Sequence, residues 1–359
     1  MDGFERNDII AAVEKRAARV RAWLAEDDFL GKTEPPSLRE AAGAYLARGG
    51  KGLRPATVLM ACGTAGGEES RALAAGAAAE VTHNWTLIHD DLIDRDDKRR
   101  GAPSVHALMA ARAGAVGFGG AEAGHYGVSL AILGGDVGPA WAAHLMARLP
   151  ENGITSPETA FALATELAAV TVPAILAGEA EDLELSRRPL AQVALVQVEA
   201  MLARKTGALY EWCARAGATI GGADYGIITT LSEFALLCGT AFQHVDDVLP
   251  YVADEARVGK PAWSDLREGK RTAVVLAAYE RATATERSFL AATLGNAGAA
   301  IDELDELKKV IEGLGGVEFA RDRARWYYER ALTLLERLPA NDYREMWAAW
   351  ARYLLTRDL

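Results

Sequence analysis

A chain of 359 residues with 39 basic and 50 acidic side chains carries a formal net charge of −11, which argues against a nucleic-acid partner because such proteins present a basic face. Half of the residues are hydrophobic and a quarter charged, the balance of a folded globular protein rather than a disordered one. The three cysteines, Cys62, Cys213 and Cys238, are odd in number and scattered, so they offer no disulfide framework or metal knuckle and read as small buried thiols in a reducing compartment.

The N-terminal segment is charged and lacks the apolar core of a signal peptide. The longest charge-free apolar runs, 167–178 and 234–245, are about a dozen residues, short of the roughly 20 that a membrane span needs. A cytoplasmic protein without a membrane span is therefore expected. Apolar residues recur at three- and four-residue spacing along nearly the whole chain, and sustained two-residue alternation is missing, so the elements are helices. The first covers about 9–25. Pro35-Pro36 breaks the chain, and Ser37-Leu38-Arg39-Glu40 has the form of a capping box opening a second helix. The run Gly49-Gly50-Lys51-Gly52 stops it, and Pro55 suits the first turn of a third. Ala-rich periodicity over 70–93 marks a long buried helix, broken at Gly101-Ala102-Pro103. Further helices are expected near 125–148, 157–185, 190–218, 226–248, 272–283, 302–312, 316–337 and 342–356. No repeat or linker marks a boundary, so residues 1–359 read as one large all-α domain. The segment 251–271, rich in Gly, Pro and charge, reads as a functional loop.

Three constellations carry chemistry. His89-Asp90-Asp91-Leu92-Ile93-Asp94 ends the Ala-rich helix. Asp90 and Asp94 share one helix face, with Asp91 beside Asp90. Clustered carboxylates at a helix C-terminus repel one another and oppose the helix dipole, so they call for a cation. Hard oxygen donors suit Mg²⁺, which binds through a few carboxylates plus substrate phosphates; a solvated acidic helix end is the other reading. Phe242-Gln243-His244-Val245-Asp246-Asp247 ends another apolar helix in the same way, and two such ends can hold several ions around a diphosphate. Gly49-Gly50-Lys51-Gly52-Leu53-Arg54-Pro55 joins flexible backbone to two cations at a helix start, which reads as an anion site or as a Gly-rich turn with incidental charge, and lacks the spacing of a nucleotide P-loop. Arg99-Arg100, Lys205-Thr206, Lys260 and Lys270 are further phosphate-binding candidates or ordinary surface charges.

Taken together and in this order, these motifs resemble the trans-isoprenyl diphosphate synthases of the polyprenyl synthetase family. The likeness also includes Gly134-Gly135-Asp136 and the run from Gly259 to Thr272, and spans most of the chain. The resemblance implies an all-α helical bundle around a deep apolar cavity, normally a homodimer. It implies that Asp90 and Asp94 ligate Mg²⁺ with support from Asp91, that Asp246, beside Asp247, holds another ion, and that about three ions bridge to substrate. Lys51, Arg54, His83 and Arg100 match the isopentenyl diphosphate site. Arg99, Lys205, Thr206, Gln243, Lys260 and Lys270 match positions that hold the allylic diphosphate. His83, seven residues before Asp90, also faces the same way on the helix; without the resemblance it reads as a packed core histidine.

The chain departs from the pattern where Pro250 replaces the last aspartate of the second motif, where the helix is expected to stop. Glu179 stands where glutamine is usual, and Trp263 where a small residue is usual. The implied reaction is a head-to-tail condensation giving a prenyl diphosphate of about C15 to C20, with no protein nucleophile required. A class I terpene cyclase has no use for the Lys51, Arg54 and Arg100 set, and a non-catalytic regulatory subunit would have lost aspartates. The fourth and fifth positions before Asp90, Thr86 and Trp85, are the candidate floor of the chain-length pocket. The helical wheel favours Thr86, and the family pattern favours a bulky residue at Trp85.

Overall fold

The computed structural model describes residues 5–252 and 263–356. They form α1 (Arg6–Ala25), α2 (Pro36–Ala47), α3 (Leu53–Thr64), α4 (Leu73–Ile93), α5 (Val105–Arg112), α6 (Ala121–Ala147), α7 (Pro157–Glu166), α8 (Val172–Arg187), α9 (Leu195–Leu202), α10 (Ala208–Ile220), α11 (Tyr225–Val252), α12 (Ser264–Glu268), α13 (Ala273–Arg281), α14 (Ala284–Thr293), α15 (Ile301–Gly313), α16 (Gly316–Leu335) and α17 (Asp342–Thr356). The fold is all-α, as the periodicity predicts. Among the described residues the strands are two-residue pieces, Lys98–Arg99 and Ala102–Pro103, paired antiparallel. Their turn, Arg100-Gly101, has φ of 54° and 74°, the left-handed pair of a tight primed hairpin. A left-handed arginine is uncommon.

Two compact units are distinguishable. One comprises Glu5–Val170 with Trp212–Thr229, and the other Thr171–Glu211 with the chain from Thr230 onward. In the first, the small side chains of α4, Ala74 to Ala79, are buried and let α1, α3 and α6 pack close to it. Glycines on α6 serve the same end. A Cβ on Gly135 would collide with the His89 ring, and one on Gly138 with Trp85. In the second unit, the buried face of α13 packs on α15 and α16 around Val274, Leu307, Ile311 and Val317. All three cysteines are buried and free.

Several expectations are corrected. The capping box at Ser37 is absent, because α2 starts one residue earlier with Pro36 at its first position and Pro35 as cap. A capping box forms instead at Thr283 and Glu286, opening α14, which the sequence reading missed along with α5. The helices expected over 157–185 and 190–218 are interrupted by π turns at Leu167–Thr171 and Ala203–Gly207. Pro250 does not stop α11, which continues to Val252 with Pro250 buried inside it. A proline lacks the amide that would bond to the Asp246 carbonyl, and the helix runs past it without that bond. The run Pro157–Arg187 and α11 are both long and apolar enough, by length and composition, to cross a membrane. Counting only charge-free residues hid this, since Glu166 and Glu179 sit inside the run and pair with Arg215 and Lys205, each at 2.8 Å.

Candidate active site

The first aspartate cluster closes α4. Asp91 is fully buried. Its Oδ2 accepts a hydrogen bond from the Tyr45 hydroxyl, and its Oδ1 accepts from Arg99 Nε at 2.6 Å. The same guanidinium donates to Asp90 Oδ2 at 2.9 Å. Burial pushes the Asp91 carboxyl up, against the opposite pull of Arg99 and Tyr45. Burial also opposes the charge on Arg99, but Asp90 and Asp91 outweigh it and raise its pKa. Asp91 is thus enclosed, and Asp90 and Asp94 are half-buried, with more access to solvent.

The Gly-rich turn before α3 is built by Gly52. It has φ +62°, and a Cβ there would strike Ala17, so glycine alone fits. The turn leaves Lys51 exposed and Arg54 half-buried at the helix start. Arg100 folds back over the same turn. Its Nη1 donates to the Gly49 carbonyl, and a Cβ on Gly50 would stand 3.0 Å from its guanidinium nitrogens. Glu80, 7% exposed, lies one helical turn before His83 and is faced by Arg54, Arg100 and Arg21. Burial lowers the His83 pKa well below its usual value, and Arg54, Arg100 and Arg99 lower it further. The imidazole is therefore neutral at pH 7. The structure brings Arg54 and Arg100 toward both Glu80 and His83.

The second unit assembles another set. The π turn Ala203–Gly207 carries Lys205 and Thr206; such turns recur at functional sites because the extra residue re-aims the side chains. Three glycines allow the helices to close on it. A Cβ on Gly178 would strike the Lys205 backbone, one on Gly207 would meet Leu236 at 2.7 Å, and one on Gly239 would meet Gly207 at 3.0 Å. Thr206 Oγ1 then donates to Gln243 Oε1 at 2.9 Å, and Gln243 Nε2 donates to Asp247 Oδ1 at 3.3 Å. Asp247 is 9% exposed and its Oδ2 has no hydrogen-bond partner. Burial pushes its carboxyl up to about 8, and Asp265, Asp182 and Asp246 add to the rise against Gln243. Lys205 pairs with Glu179 and Asp182, both at 2.8 Å. Lys270 lies 3.0 Å from Glu268 and 3.6 Å from Asp265. Lys260 falls outside the described residues.

The half-buried carboxylates at the end of α4, Asp90 and Asp94, are hard oxygen donors of the kind a divalent ion takes. Among the described residues no three acidic, histidine or cysteine side chains stand together as a cage for an ion. Sequence reasoning missed Tyr45, Glu80 and Asp182. A carboxylate three residues before His83 on an apolar helix was a usable signal for Glu80; for Tyr45 there was none.

Trp85 and Thr86 take different roles. Trp85 is buried against Gly138 and meets the His89 ring edge-on at 5.7 Å. Thr86 is half-buried, its hydroxyl donating to the His83 carbonyl at 2.8 Å.

A family model described as polyprenyl synthetase matches residues 35–311. The geranylgeranyl diphosphate synthase of Sulfolobus acidocaldarius is 34% identical over 84% of this chain and 85% of its own. The geranylfarnesyl diphosphate synthase of Aeropyrum pernix is 35% identical over 88% and 92%. A crystal structure of a Corynebacterium glutamicum geranylgeranyl pyrophosphate synthase, complexed with isoprenyl diphosphate and magnesium, superposes with a TM-score of 0.82 at 27% identity, covering 99% of this chain and all of that one. With its motifs, its helical architecture and these relatives in agreement, the chain belongs to the polyprenyl synthetase family and is an isoprenyl diphosphate synthase, a trans-prenyltransferase.

Proposed function

We propose that this synthase joins an allylic diphosphate to isopentenyl diphosphate, head to tail, with Mg²⁺ as its ion, and releases a prenyl diphosphate of about C15 to C20, geranylgeranyl in preference to farnesyl. The observation that carries this reading is the sorting of phosphate-binding groups into two sets. Arg54 and Arg100 face both Glu80 and His83, with Lys51 exposed at the same turn as Arg54. Lys205, Thr206 and Gln243 lead by hydrogen bonds and chain connection to Asp247.

In this reading the first set takes isopentenyl diphosphate, with His83 donating a hydrogen bond rather than a charge. Arg99, Lys205, Thr206, Gln243, Lys260 and Lys270 take the allylic diphosphate. Asp90 and Asp94 would hold Mg²⁺ at the first aspartate cluster and Asp246 at the second, about three ions in all, and Asp91, tied to Tyr45 and to the arginine it shares with Asp90, would steady the first cluster. Bound Mg²⁺ offsets the charge of the diphosphate. The cationic side chains stabilise the charge that develops on the leaving group. The allylic C–O bond breaks to give diphosphate and an allylic carbocation, the isopentenyl double bond attacks that cation, and the proton lost from the adduct passes to the released diphosphate. A dry apolar surround protects the cation from water.

The enzyme is proposed to act as a cytoplasmic homodimer. Val128, Ile132 and Leu133 leave an apolar stripe on α6, 38–51% exposed, of the kind that marks an interaction face. Size-exclusion chromatography with light scattering checks the dimer. The decisive assay uses purified protein, Mg²⁺, labelled isopentenyl diphosphate and allylic primers of increasing length, with product length read after dephosphorylation. Accumulation of a C20 alcohol is expected, and absence of labelled product overturns the reading.

A further inference from the structure

Lys205 is gripped from two sides. Its ammonium lies 2.8 Å from Glu179 and 2.8 Å from Asp182, and the three side chains are only 12–18% exposed. The grip is built into the backbone. Gly178 lets α8 touch the Lys205 main chain, so the next residue, Glu179, and Asp182 one turn on, meet the lysine as it leaves the π turn. Two carboxylates thus share this one ammonium. A diphosphate approaching that lysine meets a carboxylate already seated on it, and at this low exposure the repulsion is weakly screened.

We propose that Glu179 is a positioning residue that competes with the allylic diphosphate for Lys205 and so sets how tightly the enzyme holds both its primer and its lengthened product. This rests on the allylic assignment of Lys205 made above. The product of each condensation is itself an allylic diphosphate, so a carboxylate that reclaims Lys205 speeds release. Removing its charge lengthens the stay of the product and favours a further round of addition.

The test measures the Kd of a thiolo analogue of farnesyl diphosphate, which resists ionisation, with Mg²⁺, together with KM for each substrate and product length. Glu179→Gln is expected to tighten the analogue and lower the allylic KM about three- to tenfold, leave the isopentenyl diphosphate KM unchanged, and shift products toward longer chains. Glu179→Ala should do the same, which guards against an effect peculiar to the amide. Glu181→Gln is the control: Glu181 lies on the same helix but pairs with Arg204 at 2.8 Å, and its neutralisation should leave the allylic Kd as it was. An unchanged or weaker Kd in both Glu179 variants overturns the proposal. So does an equal gain in Glu181→Gln, which would mean a general charge effect, or a rise in the Mg²⁺ needed for half-maximal binding, which would make Glu179 a metal ligand. Lys205→Ala separates the two levels: if it leaves the Kd unaltered, the allylic assignment itself fails; if it weakens binding while Glu179→Gln changes nothing, only the competition fails.

Discussion

The Thr206 hydroxyl donates to the side-chain oxygen of Gln243 at 2.9 Å, joining a π turn to the helix that carries the second aspartate pair. The amide of the same glutamine donates to Asp247, so one side chain orients both neighbours. Gln243→Leu removes both bonds and leaves a buried carboxylate with less support. The allylic KM is expected to rise about tenfold, since hydrogen bonds to charged groups contribute roughly 1.5–3 kcal/mol, while the isopentenyl diphosphate KM stays within twofold. Steady-state kinetics with each substrate varied in turn checks this.

Asp90→Ala should reduce turnover by at least a hundredfold, roughly 2.7 kcal/mol or more of transition-state stabilisation, and excess chelator should do the same to the parent enzyme. The loss should not come from unfolding. Arg99 retains Asp91 as a partner in the variant, and one carboxylate fewer relieves repulsion at the end of α4. Thermal melts of the apo proteins within a few degrees of one another, beside the lost activity, are the expected pair of results. Undiminished turnover would remove Asp90 from the metal site.

Lys51→Ala and Arg54→Ala should raise the KM for isopentenyl diphosphate more than that for the primer, and Lys205→Ala should do the reverse. Each removes one charge-assisted contact, about 1.5–3 kcal/mol, or roughly ten- to a hundredfold. Identical substrate profiles for Lys51→Ala and Lys205→Ala would show that the two sets do not serve separate diphosphates.

His83 links the site to pH. Its pKa is lowered in the folded protein by burial and by Arg54, Arg100 and Arg99, while the unfolded chain keeps the ordinary value of about 6.5. The unfolded state therefore binds the extra proton as pH falls below that value, and stability is lost with falling pH, by at most about 1.4 kcal/mol per unit for this one group. His83→Gln cannot take up the proton. Urea midpoints of parent and variant should diverge below pH 6.5 in favour of the variant and show no further divergence above it.

Trp85→Ala tests the chain-length floor. The indole fills the space left by Gly138, so its loss opens a cavity and costs about 3–5 kcal/mol of stability. If the ring also limits the product, the variant adds one or more isoprene units. An unchanged product distribution from a folded, active variant transfers the role to Thr86, whose substitution by a bulkier residue should then shorten the chain.

The features legible in the sequence are those set by neighbours along the chain. Three- and four-residue periodicity reports helices because an apolar stripe has to be buried whatever it packs against. The spacing of Asp90 and Asp94, and of His83 before them, reports a shared face for the same geometric reason. The Gly-Lys-x-x-Arg turn was readable because the left-handed backbone at Gly52 demands a residue without a Cβ. Even local chemistry misled where a neighbour was displaced by one residue, as at Ser37, where a proline took the cap position. What the chain order does not contain is which distant groups meet. The Tyr45 hydroxyl reaches Asp91 across 46 residues of sequence, and Glu80 sits among three arginines from separate elements. Glu179 grips Lys205 only because Gly178 lets α8 touch the π turn. Helical periodicity is a property of one segment. The partner of a buried charge is set by the packing of several segments, and that is why tertiary structure alone decided where Asp91, Glu80 and Lys205 find theirs.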